Sequence, residues 1–211
     1  CGASEGLGLA AAKQLASQGC QVILLARRED VLSHECIKLN KAHPRNHDFI
    51  SCDFAERAML KNKLCENLTA DGNFDILVNN AGAPRPGPIT EVDEMDFAKA
   101  FNNHLQAAAL LTQLILPGMR KQGYGRIINI TSGVVKQINI GMGISNTVSA
   151  SVTAWAKTLS MEVAADGVTV NCVLPSKIDT ASTKKMIEGF AKARKKRVSD
   201  VKKMLLEQIP M

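Results

Sequence analysis

Short apolar runs alternate with helix-like segments along this chain of 211 residues, and this alternation restricts the fold more than any other feature. The runs are mostly continuous in Ile, Val and Leu, which is typical of parallel strands that are covered on both faces. Helices between parallel strands supply right-handed crossovers, so the pattern predicts an α/β fold with a doubly wound parallel sheet. The predicted strands lie in QVILLAR (21–27), DFISCD (48–53), FDILVNN (74–80), RIINITS (126–132) and VTVNCVLP (168–175).

Two of the intervening helices can be placed from the spacing of their apolar residues. The first is predicted over 7–18, where Gly19 offers a helix end, and the second over 144–165, before Gly167. Both would turn an apolar stripe toward the core. The stripes consist of Leu7, Ala11 and Leu15 in the first helix and of Val148, Val152, Trp155, Leu159 and Val163 in the second.

Length and composition predict one globular domain that spans residues 1–211. Apolar residues make up 45% of the chain and charged ones 22%, and no apolar run reaches the length of a membrane span. The six cysteines form no CxxC pair and several fall in apolar runs, so we expect reduced thiols rather than disulfides or a metal site. From these features we expect a cytoplasmic protein, with no membrane among its partners.

The formal net charge of +6 raises the question of an acidic partner. Nine Lys or Arg fall between Lys184 and Lys203, interleaved with apolar residues at helical spacing. The first interpretation is one or two amphipathic helices with solvated basic faces. A phosphate-bearing or acyl-carrier-linked substrate is the alternative. Nucleic acid is not expected, because the segment has no groove-reading motif.

Three glycines, Gly2, Gly6 and Gly8, surround the start of the first helix with the spacing GxxxGxG. Glycine lets the backbone approach a pyrophosphate closely, and a helix N-terminus offers free N–H groups to that anion. The motif alone is weak, because glycines also serve ordinary tight turns. A second signal is expected after the next strand, where a dinucleotide site carries an acid for the ribose of NAD or an Arg for the 2′-phosphate of NADP.

That second position reads Ala26-Arg27-Arg28, with two bases and no acid. Arg27 therefore predicts NADP(H) as the cofactor and makes NAD(H) the less favoured one. Glu5 in the glycine loop works against this prediction, because its carboxylate would repel a 2′-phosphate. The alternative interpretation is that Arg27 and Arg28 are solubilising surface charges.

Several further motifs of the chain are informative when they are taken together. They are CGASEGLG at 1–8, SCDFAE around Asp53, NNAG at 79–82, GRIINITS at 125–132 and VNCVLPSKIDT at 170–180. In this order and spacing they resemble the short-chain dehydrogenases/reductases, in particular the group related to 3-oxoacyl-acyl-carrier-protein reductase. The resemblance implies a Rossmann-like domain that reduces the carbonyl of a 3-oxoacyl or related ketone substrate, either small or carrier-linked. It also implies a homodimer or homotetramer, and it leads us to expect that both ends of the chain are truncated.

The resemblance also assigns cofactor contacts to individual residues of this sequence. Asp53 would contact the adenine. The adenosine ribose would lie against Asn80, Ala81 and Gly82, and the nicotinamide carboxamide against Pro175, Ile178 and Thr180. The contacts from the glycine loop would come from Gly2, Ser4, Gly6, Leu7 and Gly8. Two departures are mild: Cys1 replaces the usual Thr, and Ser176 replaces the usual Gly.

The catalytic positions depart more strongly from the family pattern. In the family a Ser and a Tyr polarise the carbonyl, and a Lys four residues after the Tyr lowers the pKa of its phenol. An ungapped alignment puts Ser132 on the family serine, Ser145 on the tyrosine and Ser149 on the lysine. A serine hydroxyl is a far weaker acid than a phenol, so the loss of general acid catalysis should cost about 10² to 10⁴ in rate.

His104 falls on the family's asparagine, with Asn103 one residue away. His104 is the candidate replacement acid, because imidazole titrates near neutrality, although a lone histidine on a helix is more often structural. Tyr124 is predicted at the opposite end of a strand from the site and is not a candidate. The leading hypothesis is therefore an NADP(H)-dependent reductase with altered chemistry, and its rival is a dinucleotide-binding pseudoenzyme or scaffold.

Overall fold

All five predicted strands are present, and each begins and ends within three residues of the run that predicted it. The computed structural model describes residues 1–67 and 74–207. Every strand pairing within these residues is parallel. The doubly wound α/β prediction is thus confirmed. The strands are β1 (Ile23–Ala26), β2 (Asp48–Ser51), β3 (Ile76–Asn79), β4 (Gly125–Ile130) and β5 (Val168–Val173).

The strands form two parallel ladders, which corrects the expectation of one continuous sheet. The first ladder pairs β1 with β2, and the second has the order β3-β4-β5. Residues 1–3 lie between the two ladders. The backbone nitrogen of Cys1 donates to the Val78 carbonyl at 2.9 Å, and that of Ala3 donates to the Leu25 carbonyl at 3.2 Å. These single hydrogen bonds link the carboxyl ends of β1 and β3 without a ladder.

Helices cover both faces of the strands. They are α1 (Gly6–Ser17), α2 (Glu29–Ala42), α3 (Arg57–Asn67), α4 (Glu94–Phe101), α5 (Ala107–Gln122), α6 (Gly143–Val163), α7 (Ala181–Ala193) and α8 (Val198–Leu206). Successive residues of β1 point to opposite faces. Leu25 belongs to a core that also contains residues of β3, β4 and β5, together with α3, α5 and α6. Leu24 and Ala26 belong to a second core, formed with α1 and α2.

The buried face of α1 differs from the predicted one. The residues that it buries are Gly8, Ala12 and Ala16, whereas the predicted stripe of Leu7, Ala11 and Leu15 is half-buried. Gly8 faces inward because it lies against the backbone of Cys1 and Gly2, whereas Ala12 and Ala16 pack in a core with residues of β1 and α2. In α6 the predicted stripe is confirmed, and Trp155 is its half-buried member.

Two compact units make up the chain, the first of which ends at Ser176. The second begins at Lys177 and contains α7 and α8, which pack against each other as the amphipathic pattern predicts. The single-domain organisation stays a prediction. Among the helices of residues 1–67 and 74–207, none combines the length and apolar composition that a bilayer span requires.

Candidate functional site

The glycine loop before α1 comes so close to Asn80 that side chains would not fit at two of its positions. A Cβ at Gly2 would lie 2.5 Å from Nδ2 of Asn80, and a Cβ at Gly8 would collide with the carbonyl oxygen of Gly2. Gly2 also has a φ of +56°, a left-handed conformation that favours glycine. The loop therefore leaves bare backbone at the N-terminus of α1, which is the arrangement that binds phosphate groups.

Asn80 follows β3 and holds this loop from the other side. Its Nδ2 donates to the carbonyl oxygen of Cys1 at 3.2 Å. Because residues 1–3 also bond to β1 and β3, the loop is fixed at the carboxyl ends of both strands. In open α/β sheets this edge is the ligand-binding one.

Two arginines follow β1 and turn to different partners. Arg28 donates from Nη2 to Oγ of Ser4 at 3.1 Å and to Oε2 of Glu5 at 2.9 Å. Arg27 lies 3.7 Å from the carboxylate of Asp53, and its side chain is 72% exposed. Arg28, rather than Arg27, therefore contacts the glycine loop.

Ser132 closes β4 and begins a short 3₁₀ turn. Its Oγ accepts from the backbone nitrogen of Val134 at 3.4 Å. The next residue, Gly133, donates its backbone N–H to the carbonyl oxygen of Pro175 at 2.9 Å. Ser132 and Pro175 are thus brought to the same edge, where the side chain of Thr131 also donates to the carbonyl of Val173, 42 positions away in the sequence.

Ser145 and Ser149 lie one turn apart near the start of α6, as their four-residue spacing requires. Ser145 is buried, with 7% of its surface exposed, and Ser149 is half-buried. The spacing of the family's acid and cation is therefore kept, but both positions carry short hydroxyl side chains.

His104 lies in a π-helical segment, Asn102–Gln106, between α4 and α5. A π-helical turn accommodates one extra residue, which explains why Asn103 and His104 compete for one aligned position. The His104 ring forms a hydrogen bond with the backbone of Gly82. Burial lowers the pKa of His104 below its usual range, and this hydrogen bond offsets the effect only in part. Burial therefore favours the neutral form of His104.

A cavity of about 20 Å³, large enough for one water, lies beside this segment. It is bounded by Asn80 and Ala81 on one side and by Asn103 and His104 on the other. The amide oxygen of Asn103 is buried and, within the described part of the chain, has no hydrogen-bond partner. The cavity thus joins the loop after β3 to the π-helical segment.

Comparison with known proteins adds to this geometry. The model of the short chain dehydrogenase family matches residues 1–190. This chain belongs to that family.

Among its relatives in the short chain dehydrogenase family is the granaticin polyketide synthase putative ketoacyl reductase 1 of Streptomyces violaceoruber. It is 32% identical over 192 residues, which are 90% of this chain and 70% of that protein. The 3-oxoacyl-acyl-carrier-protein reductase FabG of Rickettsia prowazekii is 34% identical, over 89% of this chain and 74% of that protein. The chain is accordingly a short chain dehydrogenase similar to 3-oxoacyl-acyl-carrier-protein reductases.

A solved structure of the same family has a closely similar fold. L-sorbose reductase from Gluconobacter frateurii, in complex with NADPH and L-sorbose, superposes with a TM-score of 0.85 at 30% identity. The match covers 90% of this chain and 73% of that one. The Rossmann-like fold expected from the sequence is therefore confirmed.

Most of the family positions singled out in the sequence meet at the carboxyl edge of the strands. Asp53 follows β2, where its carboxylate accepts the N–H of Ala55 at 3.1 Å. Ile178 and Thr180 belong instead to the second unit. There the hydroxyl of Thr180 accepts the N–H of Thr183 at 3.2 Å and caps α7. Tyr124 lies at the opposite, amino end of β4, with its ring against Arg126, as expected.

Sequence reasoning missed a polar pair inside the apolar strands of this short chain dehydrogenase. Asn79 donates to the side-chain oxygen of Asn129 at 3.0 Å, and both residues are buried. The side-chain nitrogen of Asn129 in turn donates to the backbone carbonyl of Asn171 at 3.4 Å. The sequence does show an Asn within each of three apolar runs. The parallel register of β3 and β4 then places Asn79 directly beside Asn129.

Proposed function

We propose that this chain binds NADP(H) at its glycine loop and reduces the carbonyl group of a small or carrier-linked substrate. The observation that carries the proposal is the close approach of Gly2, Gly8 and Asn80. That approach leaves bare backbone where a pyrophosphate needs it, because a side chain would not fit at Gly2 or Gly8.

Residues of the first unit are proposed for the separate parts of the cofactor. The N-terminus of α1 would hold the pyrophosphate, and Asp53 after β2 would contact the adenine. The segment from Asn80 to Gly82 would lie along the adenosine ribose. Pro175 is proposed for the nicotinamide carboxamide, and bound NADPH would supply the hydride.

Three features support NADP(H) over NAD(H). The end of β1 carries Arg27 and Arg28 where an NAD-dependent protein carries an acid. Arg28 already lies on the loop, within hydrogen-bond distance of Ser4. The similar L-sorbose reductase was solved with NADPH. Arg28 is therefore our first candidate for the 2′-phosphate, and Arg27 the second.

The acid–base half of the site supports a slower reaction than a Tyr and Lys pair would give. Ser132 keeps the family's serine and would donate a hydrogen bond to the substrate carbonyl. Ser145 has neither the reach nor the acidity of a phenol, and Ser149 brings no cation. His104 is the remaining candidate acid, but burial lowers its pKa and reduces its protonated fraction at neutral pH.

The second candidate function is a dinucleotide-binding protein without catalysis, which acts as a scaffold. The replacement of the acid and the cation by Ser145 and Ser149 favours it specifically. This alternative keeps every contact proposed for the cofactor and removes only the proton transfer.

Two measurements, made in sequence, separate the reductase from the scaffold. Calorimetry first measures NADPH and NADH affinity on the wild type and on Gly8→Ala. Single-turnover oxidation of NADPH is then followed with 3-oxoacyl and simple ketone substrates. Binding with turnover supports the reductase, and binding without turnover supports the scaffold. If neither cofactor binds, both proposals are wrong.

We also propose a homodimer or homotetramer in the cytoplasm. Ala150, Ala154 and Thr158 are exposed along α6, where a second copy could pack against the same surface. The six cysteines are free thiols, which suits a reducing compartment.

A further inference from the structure

The net positive charge of the chain is confined to its second unit. Residues 1–176 contain sixteen Lys or Arg and sixteen Asp or Glu, so that they are formally neutral. Residues 177–211 contain ten Lys or Arg and four Asp or Glu, which accounts for the whole charge of +6. Such segregation creates a local positive potential that an even distribution would not.

The turn between α7 and α8 concentrates this charge further. Four consecutive cations, Arg194, Lys195, Lys196 and Arg197, form it, and all four are exposed. Lys195 has a φ of +50°, and the N–H of Lys196 bonds back to the carbonyl of Ala191 at 3.0 Å. This is the Schellman ending of a helix, in which glycine is the usual residue at the left-handed position. Here a lysine occupies it.

Few of these cations have a geometry that would select a carboxylate or a base. Arg197 is already held by Asp200 through two hydrogen bonds of 3.0 and 3.1 Å. The guanidinium of Arg194 lies over the ring of Phe190, 5.6 Å from its centre. The other eight of the ten cations in the second unit are lysines, which act as point charges on flexible stems. They suit a diffuse anionic surface better than a shaped anionic ligand.

Apolar side chains are exposed among the lysines of the same unit. Val198, at the start of α8, is 49% exposed, and Leu206 at its end is 55% exposed. Ile178 is exposed as well. Lysines beside exposed aliphatic residues on short amphipathic helices are typical of proteins that lie on a lipid surface.

We propose that the second unit binds the surface of an anionic lipid bilayer through the lysines around the α7–α8 turn, with Val198 and Leu206 entering the headgroup layer. This departs from the expectation of no membrane partner, which rested on the lack of a long apolar segment. A peripheral contact needs no such segment. Nucleic acid and acidic proteins are less favoured, because stacking platforms and fork-shaped Arg contacts are scarce in this unit.

The test is co-sedimentation of the full chain with phosphatidylcholine vesicles that contain or lack phosphatidylserine. We expect binding only to the anionic vesicles, and we expect it to weaken as salt rises. The variant Lys195→Gly with Lys196→Gln removes two charges, and glycine suits the left-handed turn. At about fivefold per lysine, it should lower the partition coefficient about 25-fold. Val198→Ser should lower it severalfold.

The matched control is Lys41→Gln with Lys61→Gln, which removes two exposed lysines from the neutral first unit. This control should bind vesicles as the wild type does, and circular dichroism should show that both double variants remain folded. The proposal would be overturned if the wild type bound neutral and anionic vesicles equally well, or if it bound no vesicles at all. It would also be overturned if the control variant lost as much vesicle binding as the turn variant. Binding to double-stranded DNA as tight as that to anionic vesicles would overturn it in favour of an unselective polyanion surface.

Discussion

The carboxylate of Glu5 lies 2.9 Å from the guanidinium of Arg28, so an acid in the glycine loop is paired with the base that we propose for the 2′-phosphate. Both side chains are about half exposed, and such a pair contributes only about 1 kcal/mol or less to stability. Its greater importance is for binding, because a phosphate and Glu5 would compete for the same cation.

Replacing Glu5 by Gln should therefore tighten NADPH binding about fivefold, since it frees Arg28 and removes a like charge from the 2′-phosphate site. NADH affinity should stay unchanged. Calorimetry with both cofactors measures this, and Arg28→Ala is the opposite control, because it should weaken NADPH selectively. If Arg27→Ala weakens NADPH binding and Arg28→Ala does not, our choice of arginine is wrong.

Gly8→Ala should weaken the binding of either cofactor more than tenfold and lower the free energy of unfolding by about 1 to 3 kcal/mol. The added Cβ would meet the carbonyl oxygens of Cys1 and Gly2. Gly189→Ala in α7 is the matched control, because open space surrounds that position and alanine favours a helix. Urea unfolding and calorimetry give both readouts. A Gly8→Ala protein with unchanged affinity would contradict the close approach of the loop.

The lowered pKa of His104 predicts a pH dependence of stability. The folded state favours the neutral ring, so the contribution is fully present above the unfolded pKa of about 6.5 and is lost as the pH falls through the lower, folded value. Between about pH 7.5 and about pH 5 the wild type should lose more stability than His104→Asn. Urea unfolding at both values measures the difference, and equal losses would refute the burial of this ring.

Restoring the family's acid and cation tests the proposed reaction. Ser145→Tyr with Ser149→Lys should raise single-turnover NADPH oxidation more than the two single changes predict, because the lysine acts through the pKa of the tyrosine. Ser145 is buried, so the melting temperature of each variant must be followed as well. If a folded double variant oxidises NADPH no faster than the wild type, the missing pair is not what limits the rate.

Ala154→Arg on the exposed face of α6 should convert the proposed oligomer to monomers, because it places a charge where two copies would pack. Sedimentation velocity measures the mass. Ala10→Arg on the exposed face of α1 is the matched control and should leave the mass unchanged. A wild-type protein that is monomeric at high concentration would contradict the proposed oligomer.

Several parts of the site were predictable because their signals are local in the chain. The runs that became β1 to β5 were visible as apolar segments, and the stripe of α6 as a period of 3.6 residues. The glycine loop was visible from Gly2, Gly6 and Gly8. The four-residue spacing of Ser145 and Ser149 predicts that they lie one helical turn apart, as they do in α6.

Other features depended on which distant segments meet. The sequence presents Arg27 and Arg28 as equals, and only the fold turns Arg28 to Glu5 and Arg27 to Asp53. It shows no reason why α1 buries Gly8 rather than Leu7, since the cause is the backbone of the loop across from it. Hydrophobic periodicity is set by neighbours along the chain, whereas such pairings follow from contacts between residues far apart in it. The sequence by itself therefore determined the elements and the family of this protein, and tertiary contacts decided which side chains face the proposed cofactor.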